Sequence, residues 1–154
     1  MDEHLSDTGT WLRERIDGRL AAGVGIAWLV LLQVAFALEP TTHQPEPAYG
    51  VVLSLTMWLL LAAMVAGLVM QRRAGLVASL AAAGFMTALS VACPVSGHHP
   101  FGTWWYGQMA CVLALVAISV VALRRSITTA PVRIAVPTPP DARAEEDAPV
   151  HRAR

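Results

Sequence analysis

The residues best suited to chemistry are concentrated in one polar stretch, residues 93–107, with the sequence CPVSGHHPFGTWWYG. It contains Cys93 and the adjacent pair His98 and His99, and a further histidine, His43, lies in an earlier polar segment. Imidazole is a common metal ligand, and a thiolate is a soft ligand that suits Cu(I) and zinc. These four side chains therefore form a candidate site for copper or zinc.

A simpler interpretation competes with the metal site. The spacing of the four residues matches no metal-binding motif, so His98 and His99 are better explained as interfacial loop residues that bond to backbone and water. Thioethers also suit Cu(I), and the apolar segments contain the methionines Met57, Met64, Met86 and Met109. Methionine is nevertheless ordinary filling of an apolar core, and that interpretation needs no ligand.

A third interpretation of the same stretch is hydrolysis. The segment Val-Ser-Gly-His at residues 95–98 resembles the Pro-Ser-Gly-His segment of membrane lipid phosphatases of the acid-phosphatase type. The resemblance implies a phosphate site in which arginine and lysine side chains stand beside Ser96 and His98. Neither polar loop, 39–50 or 94–102, contains a lysine or an arginine. Because the phosphate-binding charges are absent from these loops, we expect no catalytic residues and no enzymatic activity.

The elements that position these residues are apolar segments of membrane-spanning length. Hydrophobic residues make up 55% of the chain and charged residues 14%, whereas soluble domains carry about a quarter charged residues. Four segments are almost continuously apolar: residues 20–38, 51–70, 74–93 and 103–123. At a rise of ~1.5 Å per residue, each covers about 30 Å, the thickness of a hydrocarbon core. The sequence predicts an all-α integral membrane four-helix bundle, and no basic patch indicates nucleic acid as a partner.

Arginine placement predicts the orientation of this bundle. The chain contains no lysine, and the arginines near the spans all flank one side: Arg13, Arg15, Arg19, Arg72, Arg73, Arg124 and Arg125. By the positive-inside rule, both termini are expected in the cytoplasm, and both histidine-bearing loops face outward. Together with the abundant alanine, valine and proline, this predicts a multi-pass protein of the bacterial cytoplasmic (inner) membrane.

The terminal segments are polar. Residues 1–19 form a leader that is either amphipathic at the membrane surface or a solvated extension of the first span. Residues 35–37, Ala-Phe-Ala, fit a signal-peptide cleavage site, but the apolar run before them exceeds the usual length of about 7–15 residues. We therefore expect the first span to be retained. Residues 124–154 are rich in proline, alanine and charge, which predicts a disordered cytoplasmic tail.

Small residues on the third span predict how the helices pack. Association in lipid depends on close approach of helices and on hydrogen bonds between them. Two stripes of small residues run along this span: Gly75, Ser79 and Ala83, and Gly84, Ala88 and Ala92. We expect the third span at the centre of the bundle, touched on more than one side, and the same faces could support a homo-oligomer.

The most polar side chains inside the spans are Gln33 and Gln108, at similar depths in the first and fourth spans. Because lipid does not solvate an amide, both are predicted to point inward and to bond each other or the backbone. Cys111 lies about two turns into the fourth span, whereas Cys93 ends the third. A disulfide requires Cα atoms within about 7 Å, so none is expected between the two cysteines.

The leading hypothesis is a small accessory or scaffold membrane protein without enzymatic activity. Prolines and glycines give the loop at residues 94–102 a restricted course, and Trp104 and Trp105 anchor it at the membrane interface. An ordered outward loop suits contact with a partner membrane or extracytoplasmic protein. No charged residue lies within a span, whereas pumps and transporters usually have one. Metal handling is the alternative hypothesis, and a membrane-embedded hydrolase is the third.

Overall fold

The computed structural model describes residues 9–39, 48–95 and 101–128, and helices account for most of them. Four long helices are present: α1 (Gly18–Leu38), α2 (Ala48–Val69), α3 (Arg73–Val95) and α4 (Thr103–Thr128). Each is long and apolar enough to cross a membrane, and the three described ranges contain no β-strand. The prediction of an all-helical protein with four candidate membrane spans is therefore confirmed.

The helix bounds follow local chemistry. The carboxylate of Asp17 accepts a hydrogen bond of 2.9 Å from the amide of Arg19, which caps α1 at its start. The fourth helix continues past the predicted limit at residue 123, so the prediction of a disordered tail is wrong for residues 124–128. These residues extend α4 to Thr128, and Ser126 among them is buried. The remainder of the predicted tail lies outside the described residues.

The helices pack in the order α1, α4, α3, α2, and α1 meets α2 over only a small area. The helix with the largest buried share is α3. It packs against two neighbours, as predicted, but so does α4, so the centre of the bundle is shared by these two helices. Leu76 of α3 and both Val112 and Leu115 of α4 are completely buried between these helices. The sparse contact between α1 and α2 leaves an apolar groove between them.

Two glycines allow α2 and α3 to meet at backbone distance. A Cβ atom added at Gly75 would lie 2.5 Å from the carbonyl carbon of Gly67, a separation that no methyl group can occupy. The intervening turn closes when the amide of Arg72 donates to the Gly67 carbonyl at 2.8 Å. Gln71 adopts a left-handed conformation there, with a φ of 53°. Arg72 ends this turn, and Arg73 is the first residue of α3.

The two predicted stripes of small residues have different outcomes. Gly75, Ser79 and Ala83 are buried, as expected for a packing face. The second stripe faces outward, and its members are all exposed: Gly84, Ala88 and Ala92. The expectation that both stripes contact neighbouring helices is therefore wrong for the second one. The reason is that α2 and α4 both pack on the side of α3 that includes Leu76 and Ser79.

Candidate functional site

The bundle has two chemically different ends. We call the end that carries Arg13, Arg15, Arg19, Arg72, Arg73, Arg124 and Arg125 the arginine end. The opposite end, which we call the loop end, is where α1 and α3 finish and α4 begins. The predicted metal ligands His43, His98 and His99 lie outside the described residues, so the metal site stays a prediction for them. Among the residues that are described, no three His, Cys, Asp or Glu side chains form a cluster suited to a metal ion.

Cys93 is the one predicted metal ligand that the structure places, and it lies at the loop end. Its thiol is half-buried near the end of α3, and Glu39, the residue after α1, lies within electrostatic reach of it. Cys111 is buried within α4, and the two cysteines are not joined by a disulfide. The loop end therefore presents one thiol and one carboxylate beside the points from which the two histidine-bearing loops depart.

A cluster of aromatic side chains packs at the loop end. Pro94 lies inside α3 and has no amide hydrogen, so the carbonyl of Ser90, four residues earlier, loses its helical donor. The indole N–H of Trp105 donates to that carbonyl at 2.8 Å. Phe101 and Tyr106 each contact the Trp105 ring edge-to-face, at centroid distances of 5.5 and 5.3 Å. We call these five residues the loop platform.

The outer part of the loop platform is exposed. Phe101 and Tyr106 retain 65% and 70% of their accessible surface, although Trp105 between them is partly buried. Val95, the last residue of α3, is similarly exposed. A fixed indole with exposed rings on either side can present an apolar surface either to the headgroup region of a membrane or to another protein.

The two intramembrane glutamines are placed differently by the structure. Gln108 is buried in α4, as predicted, with 9% of its surface accessible. Gln33 is exposed, so the prediction that it points inward is wrong. The buried face of α1 is defined by Val24, Trp28 and Ala35, and Gln33 is displaced from that face by the helical rotation of 100° per residue. The two amides therefore do not form a pair.

A buried chain of hydrogen bonds joins three helices in the middle of the bundle. The indole N–H of Trp28 on α1 donates to the hydroxyl of Ser79 on α3 at 2.7 Å. Ser79 in turn shares a hydrogen bond of 2.7 Å with Ser119 on α4, and Ser119 donates to the carbonyl of Leu115. All three side chains are at most 2% exposed. Sequence reasoning treated Ser79 only as a small residue and did not identify its partners.

A second polar cluster lies at the arginine end, where Arg73 is only 3% exposed. Its guanidinium forms an ion pair with Glu14 and donates to the carbonyl of Ser126 at 2.6 Å. The ring of Trp11 lies over the guanidinium at 5.5 Å from ring centroid to cation. The arginine thus connects the segment before α1 with the start of α3 and the end of α4.

The segment before α1 also pairs with the α2–α3 turn through its backbone. The amide of Ile16 donates to the Gln71 carbonyl at 2.9 Å, and the Arg73 amide donates to the Glu14 carbonyl at 3.0 Å. The Arg72 guanidinium donates to the carbonyl of Arg13 at 2.5 Å. Residues 9–13 are helical, so part of the predicted amphipathic leader forms a helical turn docked on the bundle.

The fold and these polar clusters together define a helical protein with four candidate membrane-spanning helices. Comparison with protein-family models, with curated proteins and with solved structures gives no match for this chain. The function is therefore argued from the residues themselves.

Proposed function

We propose that this chain is a small accessory membrane protein without enzymatic activity, whose loop between α3 and α4 contacts a partner protein. The observation that carries the proposal is the bond from Trp105 to the Ser90 carbonyl, which ties the first turn of α4 to the last turn of α3. This bond fixes both points from which the loop departs. A loop held at both ends loses less conformational entropy on binding than a free one.

The proposed orientation places both termini in the cytoplasm and the loop platform on the outer face of a bacterial cytoplasmic membrane. It is supported by the segregation of arginines, because every arginine of the described residues lies at the arginine end. A single cysteine introduced at Thr128 or at Phe101, both exposed, with Cys93 and Cys111 replaced by serine, tests it in intact cells. A membrane-impermeant maleimide should label position 101 and not position 128, and the reverse pattern would reject the orientation.

Site-specific photo-crosslinking tests the contact with a partner. A photoreactive phenylalanine analogue replaces Phe101 or Tyr106, and the same analogue at Trp58, which is 67% exposed on α2, serves as the control. Positions 101 and 106 should give one and the same protein adduct, absent from position 58 and lost on Trp105→Ala. Adducts with lipid alone at positions 101 and 106 would show that the aromatic rings only anchor the helix at the membrane interface.

Extracytoplasmic copper or zinc handling is the second candidate function. It is supported by the thiol of Cys93 and the carboxylate of Glu39 beside the departure points of both histidine-bearing loops. Elemental analysis of protein purified after growth with copper and zinc should then find stoichiometric metal. The metal should be lost in His98→Ala/His99→Ala and in Cys93→Ser, but retained in the matched control Cys111→Ser. Parent protein without metal would exclude this function.

A further inference from the structure

A groove of about 680 Å³ opens between α1 and α4 at the arginine end. Three charged residues line its mouth: Asp17, Arg19 and Arg125. Its walls are entirely apolar and are formed by Leu20, Gly23, Val24, Ala117, Ile118, Val121 and Ala122. The volume is within the range of about 300–1,000 Å³ that is typical of sites for small molecules.

The groove runs along the helices from the membrane surface inward. On α1 its lining extends from Asp17 to Val24, and on α4 from Arg125 back to Ala117. At ~1.5 Å per residue this is a depth of roughly 10–12 Å, which is most of one leaflet of a hydrocarbon core about 30 Å thick. A ligand that fits this shape has a polar end at the surface and an apolar chain beside the helices.

The mouth of the groove is positive. The charged residues of the mouth are two arginines, Arg19 and Arg125, and one carboxylate, that of Asp17, so its formal net charge is positive. That carboxylate already accepts a hydrogen bond from the Arg19 amide as the cap of α1. The mouth also lies at the N-terminus of a helix of 21 residues, where the helix dipole favours negative charge.

A second groove of the same bundle provides an internal comparison. The space between α1 and α2 has a volume of about 620 Å³ and is also apolar, but among the residues that the structure describes no charged one lines it. Its lining includes Gly25, Trp58 and Gln71. The two grooves therefore share size and apolarity and differ in charge, so only the α1/α4 groove can select a ligand by its negative charge.

We propose that the α1/α4 groove binds one anionic phospholipid from the leaflet at the arginine end. Arg19 and Arg125 hold the headgroup phosphate, because a guanidinium presents a planar fork of donors that matches phosphate oxygens. An acyl chain lies along Gly23 and Val24, where the glycine leaves space beside α1. Basic pockets between membrane helices are known to select anionic headgroups in this way. The proposal does not depend on the contact with a partner protein.

The two chemical parts of the site are tested by matched pairs of variants. Arg19→Gln/Arg125→Gln removes the positive mouth, and Arg124→Gln removes an exposed arginine that does not line the groove. Gly23→Leu fills the apolar wall, and Gly25→Leu adds the same side chain in the other groove. A Cβ atom at either glycine meets nothing within 4 Å, so neither substitution clashes at its Cβ.

Native mass spectrometry of the detergent-solubilised full chain measures the affinity for phosphatidylglycerol, with phosphatidylcholine as the zwitterionic comparison. We expect one phosphatidylglycerol per chain with an affinity that falls about fivefold for each arginine removed. Gly23→Leu should abolish this binding, whereas Arg124→Gln and Gly25→Leu should retain it. Thermal unfolding without added lipid confirms that each variant is folded.

Three outcomes would overturn the proposal. Equal affinity for the two lipids would show that the groove recognises only acyl chains. Equal losses on Arg124→Gln and Arg125→Gln would show a diffuse electrostatic attraction without a site. An affinity for inorganic phosphate that matches that for phosphatidylglycerol, with phosphate binding unchanged in Gly23→Leu, would identify the ligand as a free anion.

Discussion

The indole N–H of Trp105 on α4 donates a hydrogen bond of 2.8 Å to the main-chain carbonyl of Ser90 on α3. Pro94 removes the helical donor of that same carbonyl. Trp105→Phe keeps an aromatic ring and leaves the carbonyl without a donor, so we expect a loss of about 1 kcal/mol in the free energy of unfolding. Reversible unfolding in mixed micelles measures this loss, and Trp58→Phe, at an exposed position, should cost much less.

A double-mutant cycle tests whether Pro94 and Trp105 act on the same carbonyl group, that of Ser90. Pro94→Ala supplies a backbone N–H that can donate to the Ser90 carbonyl and complete the helical pattern. Trp105→Phe should therefore cost clearly less in the Pro94→Ala background than in the parent. Strictly additive free energies would contradict the explanation, because they would show that the two residues do not serve the same carbonyl.

The helices could be predicted from the sequence because unbroken apolarity over the thickness of a membrane is itself the signal. The predicted burial of Gln108 is also confirmed, since a polar amide favours the protein interior. Gln33 is the exception because its exposure depends on which face of α1 meets α4, and the sequence alone does not specify that rotation. The prediction for Gly84 failed for the same reason. Its stripe of small residues was expected to pack, but the sequence does not specify which face of α3 meets its neighbours.

The polar clusters could not be predicted because they join residues that are distant along the chain. Trp28 and Ser79 are 51 positions apart, and Arg73 and Ser126 are 53 positions apart. Ser79 has an ordinary local explanation as a small residue of a packing face, and Arg73 as a topology-determining charge. The one available signal was the presence of serine in the middle of an otherwise apolar span. Lipid does not solvate a hydroxyl group, so such a serine is expected to have a partner within the protein. Pairing the serines needs the order of the helices, and the structure supplies that order.

The buried chain of hydroxyls predicts an asymmetry between two serines. Ser79→Ala removes the acceptor of the Trp28 indole and leaves a buried N–H without a partner, so we expect a loss of about 1–2 kcal/mol in unfolding free energy. Ser119→Ala leaves the indole bonded to Ser79 and should cost about 0.6 kcal/mol, typical of a hydrogen bond between membrane helices. The exposed Ser54→Ala is the control. Equal losses for Ser79→Ala and Ser119→Ala would contradict the expectation that only Ser79→Ala leaves the indole of Trp28 without a partner.

The close approach of Gly67 and Gly75 predicts a strong position dependence of glycine replacement within α3. Gly75→Ala forces the α2 and α3 backbones apart and should cost about 1–3 kcal/mol in unfolding free energy. Gly84→Ala places its methyl group in open space and should stabilise the helix by about 0.5–1 kcal/mol. The two variants add the same atom to the same helix, so they control for each other. Comparable effects of the two would show that the predicted overlap is relieved without cost.

The ion pair between Glu14 and Arg73 predicts that one carboxylate holds the segment before α1 against the bundle. Glu14 is about half exposed, but Arg73 is 4% exposed at its side chain, so Glu14→Gln leaves a buried charge without its counter-ion. We expect a local loss of about 2 kcal/mol after allowance for solvent screening at Glu14. Hydrogen exchange should then quicken at the Ile16 and Arg73 amides, which bond across this contact. Arg15→Gln, an exposed change in the same segment, should leave both rates unaltered, and parental rates in Glu14→Gln would show that the backbone hydrogen bonds alone dock the segment.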